Sequence, residues 1–174
     1  MHLALIRHTP RIRPAEGADI DDLVRVEQRT FATDHIPRRG FRRFLASPSS
    51  ALMVATRERA VVGYALVLFR AKAAVARLYS IATVPEASRR GIGAALLAAA
   101  EKATRARKRT VLRLEVHAKN AAAIGCYRKA GYTMFGRYAR YYSDRGDALR
   151  FEKRLRPRRA RPRRTRKMRR TVVR

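Results

Sequence analysis

Apolar and polar positions along the chain follow two periods, and their order predicts an alternation of strands and helices. Arg11-Ile12-Arg13 opens a first strand, and Gly17-Ala18 turns the chain. Ile20, Leu23, Val24, Glu27 and Phe31 then recur at helical spacing, predicting an amphipathic helix over 20–32. Asp19 is its expected N-cap, with Asp21 and Asp22 in the first turn. A second short helix, 40–46, offers Phe41, Phe44 and Leu45 to a core. Strands at 51–56 and 61–70 form a hairpin around Glu58-Arg59, and Gly63 marks a bulge or kink. A buried strand over 76–84 is broken by Pro85-Glu86, and an Ala/Leu-rich helix follows at 91–107. Strand five is expected at 110–116. Helix four spans 119–130, opened by Asn120 and closed by Gly131. Strands at 132–142 and 148–154, joined by residues 143–147, complete the chain. This order predicts an α/β domain: a mixed sheet of about seven strands flanked by about four helices.

Composition adds boundaries and partners. The chain has 174 residues, 47% of them hydrophobic, enough for one domain with a substantial core. That domain is read as 11–155, after an N-terminal extension, 1–10. Residues 156–174 hold no acidic residue and two prolines, the composition of a disordered basic tail. Net charge is +29, which favours polyanionic partners and disfavours polyamine or lysine-rich acceptors. The tail is a candidate for non-specific nucleic-acid or ribosome contact, and it lacks aromatic residues for base stacking. One cysteine excludes an internal disulfide, and neither a membrane span nor a signal sequence is evident. A cytoplasmic protein follows as the expectation, with no metal and with oligomeric state open.

Between strand four and helix three stands Ser88-Arg89-Arg90-Gly91-Ile92-Gly93. A strand, a glycine turn and a helix start make an anion site, because the first helical N–H groups lack intrahelical partners and carry the positive end of the dipole. Gly91 and Gly93 permit close backbone approach, and Arg89 and Arg90 add forked donors. A diphosphate suits such a turn. The stretch has neither the Gly-Lys-Ser/Thr ending of a P-loop nor three glycines at dinucleotide-fold spacing.

Further on, Leu114-Glu115-Val116, Asn120, Tyr127 and Gly131-Tyr132 form a second block. With both blocks in this order, the chain resembles the GCN5-related N-acetyltransferases over roughly residues 12–155. It is most similar to the ribosomal-protein alanine N-acetyltransferase branch, which Tyr141-Tyr142 and Asp147-Ala148-Leu149 also match. The family's loop reads Gln/Arg-x-x-Gly-x-Gly/Ala, and Ser88 departs from it at the first position. The resemblance implies a mostly antiparallel sheet and acetyl-coenzyme A (acetyl-CoA) as co-substrate. It implies pyrophosphate binding by Arg89, Arg90, Gly91, Ile92, Gly93 and Ala94, and pantetheine pairing by the backbone of Ile81, Ala82, Thr83 and Val84. Asn120 and Tyr127 also belong to the implied cofactor set.

Transfer to an amine needs a neutral nucleophile, and an α-amino group has a pKa of about 8. Glu115 is the candidate general base, flanked in sequence by Leu112, Leu114 and Val116, whose burial is expected to raise its pKa. Its bland reading is a carboxylate paired with an arginine. His117, two residues on and so on the same face, either assists or simply faces solvent. Tyr127 is the candidate general acid, which the resemblance places beside the coenzyme sulfur, or else an aromatic packing helix four to the sheet. Cys126 has no His/Asp pattern around it, so direct transfer is expected over a covalent route. Phe31, Tyr141 and Tyr142 are expected to line the acceptor groove, the two tyrosines having cross-strand packing as their alternative. The expected activity is acetylation of a primary amine, a protein or peptide N-terminus foremost. A small-molecule amine acetyltransferase, or a non-catalytic acyl-CoA-binding module with a nucleic-acid-binding tail, are the alternatives.

Overall fold

The computed structural model describes residues 10–87 and 91–155. Residues 1–9 of the N-terminal extension, Ser88, Arg89, Arg90 and the tail 156–174 lie outside the described residues. Seven strands form one sheet: β1 (Arg11–Pro14), β2 (Ser50–Arg57), β3 (Ala60–Phe69), β4 (Val75–Thr83), β5 (Val111–His117), β6 (Thr133–Tyr138) and β7 (Ala148–Arg154). The helices are α1 (Ile20–Thr30), α2 (Arg38–Ala46), α3 (Ile92–Ala106) and α4 (Ala121–Lys129). The sheet order is β1-β2-β3-β4-β5-β7-β6. Only β4 and β5 run parallel, as a strand–helix–strand crossover through α3 requires.

Local chemistry accounts for most boundaries. Glu58 and Arg59 both take positive φ, 49° and 70°, the geometry whose twist suits a two-residue hairpin. The register slips beside Gly63, between Ala55 and Thr56 of the partner strand. Gly63 is there for space: a Cβ on it would stand 2.7 Å from the Ala82 carbonyl oxygen. Asn120 accepts from the Ala123 N–H at 3.1 Å and caps α4. Gly131 ends that helix with φ +86°.

Two expectations need correction. Asp19 does not cap α1 with its side chain. It closes a 3-10 turn, Gly17–Asp19, by accepting the Glu16 N–H at 2.8 Å, and it takes both guanidinium nitrogens of Arg13 at 2.7 Å. Strand six ends at Tyr138, so Tyr141 and Tyr142 lie in the β6–β7 loop and cannot be cross-strand pairs. Asp147 turns the chain there, accepting from the Arg140 N–H at 2.8 Å and from Arg137.

The core lies between the sheet and its helices. Tyr64, Phe41, Phe151, Leu96, Leu112 and Leu114 are completely or almost completely buried in it. One carboxylate joins them: Glu27 of α1 is 2% exposed. It accepts the Ile36 N–H at 2.8 Å and the Tyr64 hydroxyl, and Tyr64 also meets Ser80 Oγ at 2.7 Å. Burial raises the Glu27 pKa above the usual carboxylate range and pushes the Tyr64 phenol well above its own. No helix among the described residues is long and apolar enough to cross a membrane.

Candidate active site

β4 and β5 part company halfway along. Their pairing runs from Val75↔Val111 to Leu78↔Leu114 and then stops, although β4 continues to Thr83 and β5 to His117. The parting coincides with a bulge in β4: Leu66 pairs with Ser80 and Val67 with Leu78, so Tyr79 is the extra residue. Beyond it, the β4 edge facing β5 has no strand partner. The Val84 N–H is spent on the Val62 carbonyl at 3.0 Å, on the β3 side. Alternation therefore gives Ala82 to β3 as well and turns the backbone groups of Ile81 and Thr83 toward the gap. Of the four residues expected to pair with pantetheine, these two turn toward the gap, where the Thr83 carbonyl already accepts from Thr30 Oγ1 at 3.3 Å.

At the end of β4 the chain reaches Gly91, with φ +77°, and enters α3. The first helical bond is Ala95 N–H to Gly91 O at 3.0 Å, so the N–H groups of Ile92, Gly93 and Ala94 have no intrahelical acceptor. Ile92 is buried, whereas a Cβ on Gly91 or Gly93 would meet nothing within 4 Å. An open glycine turn on the positive end of a 15-residue helix, beside an unpaired strand edge, fits a diphosphate linked to an amide-bearing arm. Asn120 uses its carbonyl oxygen as the α4 cap, leaving its amide N–H groups for such an arm.

Glu115 and Tyr127 lie on opposite faces of the sheet. Leu112, Leu114 and Val116 point into the core, so the alternation along β5 puts Arg113, Glu115 and His117 on the other face. The surroundings of Glu115 are therefore cationic rather than apolar: Arg77 Nε donates to it at 2.9 Å, and Arg150 Nε lies 3.7 Å away. Arg77 also donates to the Tyr141 hydroxyl at 2.7 Å. Tyr127 sits on the core side, 6% exposed, with its ring 5.9 Å from that of Tyr132 and 6.4 Å from that of Phe151. Burial is the main cause that raises its pKa well above the ordinary phenol value, with Cys126 and Tyr142 adding to it. Its hydroxyl makes no hydrogen bond among the described residues.

His117 faces the protein rather than solvent. Its Nδ1 accepts the Lys119 N–H at 3.1 Å, so the neutral ring carries its proton on Nε2, which meets Asp144 at 3.1 Å. The imidazole stacks on Tyr142 at 5.0 Å, and a Cβ on Gly146 would overlap it outright. This anchors the β6–β7 loop on the end of β5. Tyr142, largely buried there, has its phenol pushed up to about 12, chiefly by that burial. The loop then reaches the α1–α2 connection, where Ser143 Oγ bonds Asp34 at 2.8 Å and Thr33 Oγ1 at 3.1 Å. Phe31 ends α1 two residues before Thr33. The two segments expected to hold the acceptor are thus joined beside the gap. Arg77, Asp144 and Glu27 escaped the sequence reading. For Glu27 alone a signal existed, a carboxylate at a core position of the α1 repeat.

The chain is similar to known proteins. Residues 19–132 match the model of the acetyltransferase (GNAT) family. An N-alpha-acetyltransferase of Sulfurisphaera tokodaii is 31% identical over 151 residues, covering 79% of this chain and 89% of the relative. Among solved structures, the ribosomal-protein-S18-alanine N-acetyltransferase of Escherichia coli superposes with a TM-score of 0.76 at 27% identity, over 84% of this chain and 94% of that one. The ribosomal-protein-alanine N-acetyltransferase of Brucella melitensis gives 0.73 at 28% identity, over 83% and 99%. The chain belongs to the acetyltransferase (GNAT) family and is an acetyl-CoA-dependent N-acetyltransferase.

Proposed function

We propose that this enzyme acetylates the α-amino group of a protein or peptide N-terminus by direct transfer. One observation carries the reading. Where two parallel strands part, a carboxylate lies on one face of the sheet with two joined loops over it, and on the other face lies a phenol with no hydrogen-bond partner among the described residues. The names of the relatives point to the same acceptor.

Acetyl-CoA supplies the thioester. Gly91, Ile92, Gly93 and Ala94, with Arg89 and Arg90, hold its pyrophosphate, and the backbones of Ile81 and Thr83 and the Asn120 amide hold its arm. Glu115 accepts the proton that the attacking amine sheds, directly or through water, while Arg77 keeps its carboxylate in place. Nitrogen bonds to the acetyl carbon as the carbon–sulfur bond breaks. Tyr127, fully protonated at neutral pH, donates to the leaving sulfur. Phe31, Tyr141 and Tyr142 line the path of the acceptor. A soluble cytoplasmic enzyme is in keeping with this chemistry. Contact of residues 156–174 with nucleic acid draws no support from the relatives and stands on composition alone.

The test is a panel of N-terminal peptides, free amino acids, polyamines and aminoglycosides, read by thiol release from acetyl-CoA. Peptide acetylation on the α-amine, located by mass spectrometry, supports the proposal. Turnover confined to small amines replaces it with a small-molecule acetyltransferase, and thiol release with none of them leaves a binding module.

A further inference from the structure

Next to the joined loops lies a cavity of about 470 Å³ whose lining includes Asp34, His35, Arg39, Arg43, Phe44 and Tyr79. Arg39 and Arg43 are one turn apart on α2 and so share a face. Neither has a carboxylate within ion-pair distance among the described residues, whereas Arg25 pairs with Asp22 at 2.8 Å and Arg38 with Asp21. Asp34 is the one acidic residue of that lining, and it is engaged by the hydroxyl and the N–H of Ser143. The first turn of α2, at Pro37 and Arg39, also borders the cavity and adds the positive end of a helix dipole.

Side-chain contacts link the cavity lining to the site. Arg43 lies 5.2 Å over the Phe44 ring, Phe44 packs 5.7 Å from Tyr79, and Arg77 lies 5.7 Å over Tyr79. Arg77 in turn bonds Glu115. An extended peptide advances about 3.3 Å per residue, so a chain running from the site along these contacts brings the side chains just behind its N-terminus toward this space. Two guanidiniums with no carboxylate partner among the described residues, at a cavity with ample room for a side chain, match a carboxylate in charge and in fork geometry.

Building on the peptide-acceptor reading, we infer that the enzyme selects N-termini with an Asp or Glu within the second to fourth residues, and that Arg39 and Arg43 read that side chain. The reading differs from a general attraction of anions by a chain of net charge +29, because it is local. Arg42 stands on the same helix but outside the cavity lining, and so supplies a charge-matched control.

The experiment uses the full chain and peptide pairs that differ only by Glu or Gln at position two, three or four. One Glu peptide should exceed its Gln partner roughly three- to tenfold in kcat/KM, the range of two exposed ion pairs. The advantage should shrink at high salt. Arg39→Glu with Arg43→Glu should abolish or invert the preference, and Arg39→Gln with Arg43→Gln should remove it, with Gln-peptide turnover kept. Arg42→Glu should leave it intact. Equal use of Glu and Gln peptides, or an Arg42→Glu effect as large as that of the cavity pair, overturns this inference while peptide acetylation stands. Failure to acetylate any peptide overturns both readings.

Discussion

Gly146 leaves no space for a side chain against His117, since a Cβ there would overlap the imidazole Nε2 and crowd Asp144 Oδ1 at 2.8 Å. The contact ties the β6–β7 loop to the end of β5, and the loop ties the α1–α2 connection through Ser143. Gly146→Ala should therefore displace Tyr141 and Tyr142 together. The expected result is a KM for the acceptor raised several-fold, with little change in acetyl-CoA affinity. Steady-state kinetics with each substrate varied in turn checks it; an unchanged acceptor KM would mean that the loop does not shape the groove.

Tyr127→Phe removes a hydroxyl that has no hydrogen-bond partner among the described residues, so it should fold normally. We expect kcat to fall by about 10²–10⁴, the usual span for an acid–base group, with coenzyme affinity held. Glu115→Gln should lower kcat likewise and also loosen Arg77. Because Arg77 joins Glu115 to Tyr141, Arg77→Met should raise the acceptor KM as well as lower kcat. Full activity of Glu115→Gln at pH 7 would move the base role elsewhere.

Gly91→Asp places a side chain at φ +77° and a negative charge on the helix N-terminus. Acetyl-CoA binding should drop below detection by calorimetry. Gly63→Ala, by contrast, pushes on the Ala82 carbonyl and should destabilise the fold by about 1–3 kcal/mol through overpacking. Coenzyme affinity unchanged in Gly91→Asp would displace the pyrophosphate from this turn.

Burial raises the pKa of Glu27, so the native state favours its neutral acid. Its contribution to stability is complete below the unfolded value of 4.5 and is lost as pH rises through the higher native value. Asp19 acts in the opposite sense. Arg13 lowers its pKa, so its contribution is present above 3.8 and is lost as pH falls. Glu27→Gln should remove the loss on the alkaline side, leaving a flatter curve of melting temperature above pH 4.5. Glu27→Ala should cost about 1–3 kcal/mol, because the Ile36 N–H loses its acceptor. A Glu27→Gln curve parallel to wild type would place the titration in another group.

The sequence by itself determined what depends on near neighbours. Period and end signals located seven strands and four helices, because a helix repeat, an Asn cap at Asn120 or a positive-φ glycine at Gly131 is read within a few residues. The glycine turn before α3 was legible for the same reason: glycines ahead of a helix start, and the helical N–H groups without an intrahelical acceptor, are consecutive residues. Glu115 and Tyr127 stood out because a motif keeps its spacing along the chain. Tertiary structure decided whatever depends on which strand lies next to which. Placing β7 between β5 and β6 brings Arg150 to Glu115, and the parallel register brings Arg77, so a carboxylate flanked in sequence by leucine and valine acquires two arginines. The bulge at Tyr79 opens β4 from β5, a departure that no local period signals. His117 reads as a solvent-facing residue until a loop some thirty positions later packs over it. Strand pairing and loop docking are long-range contacts, and a one-dimensional pattern records only which face of its own element a residue occupies.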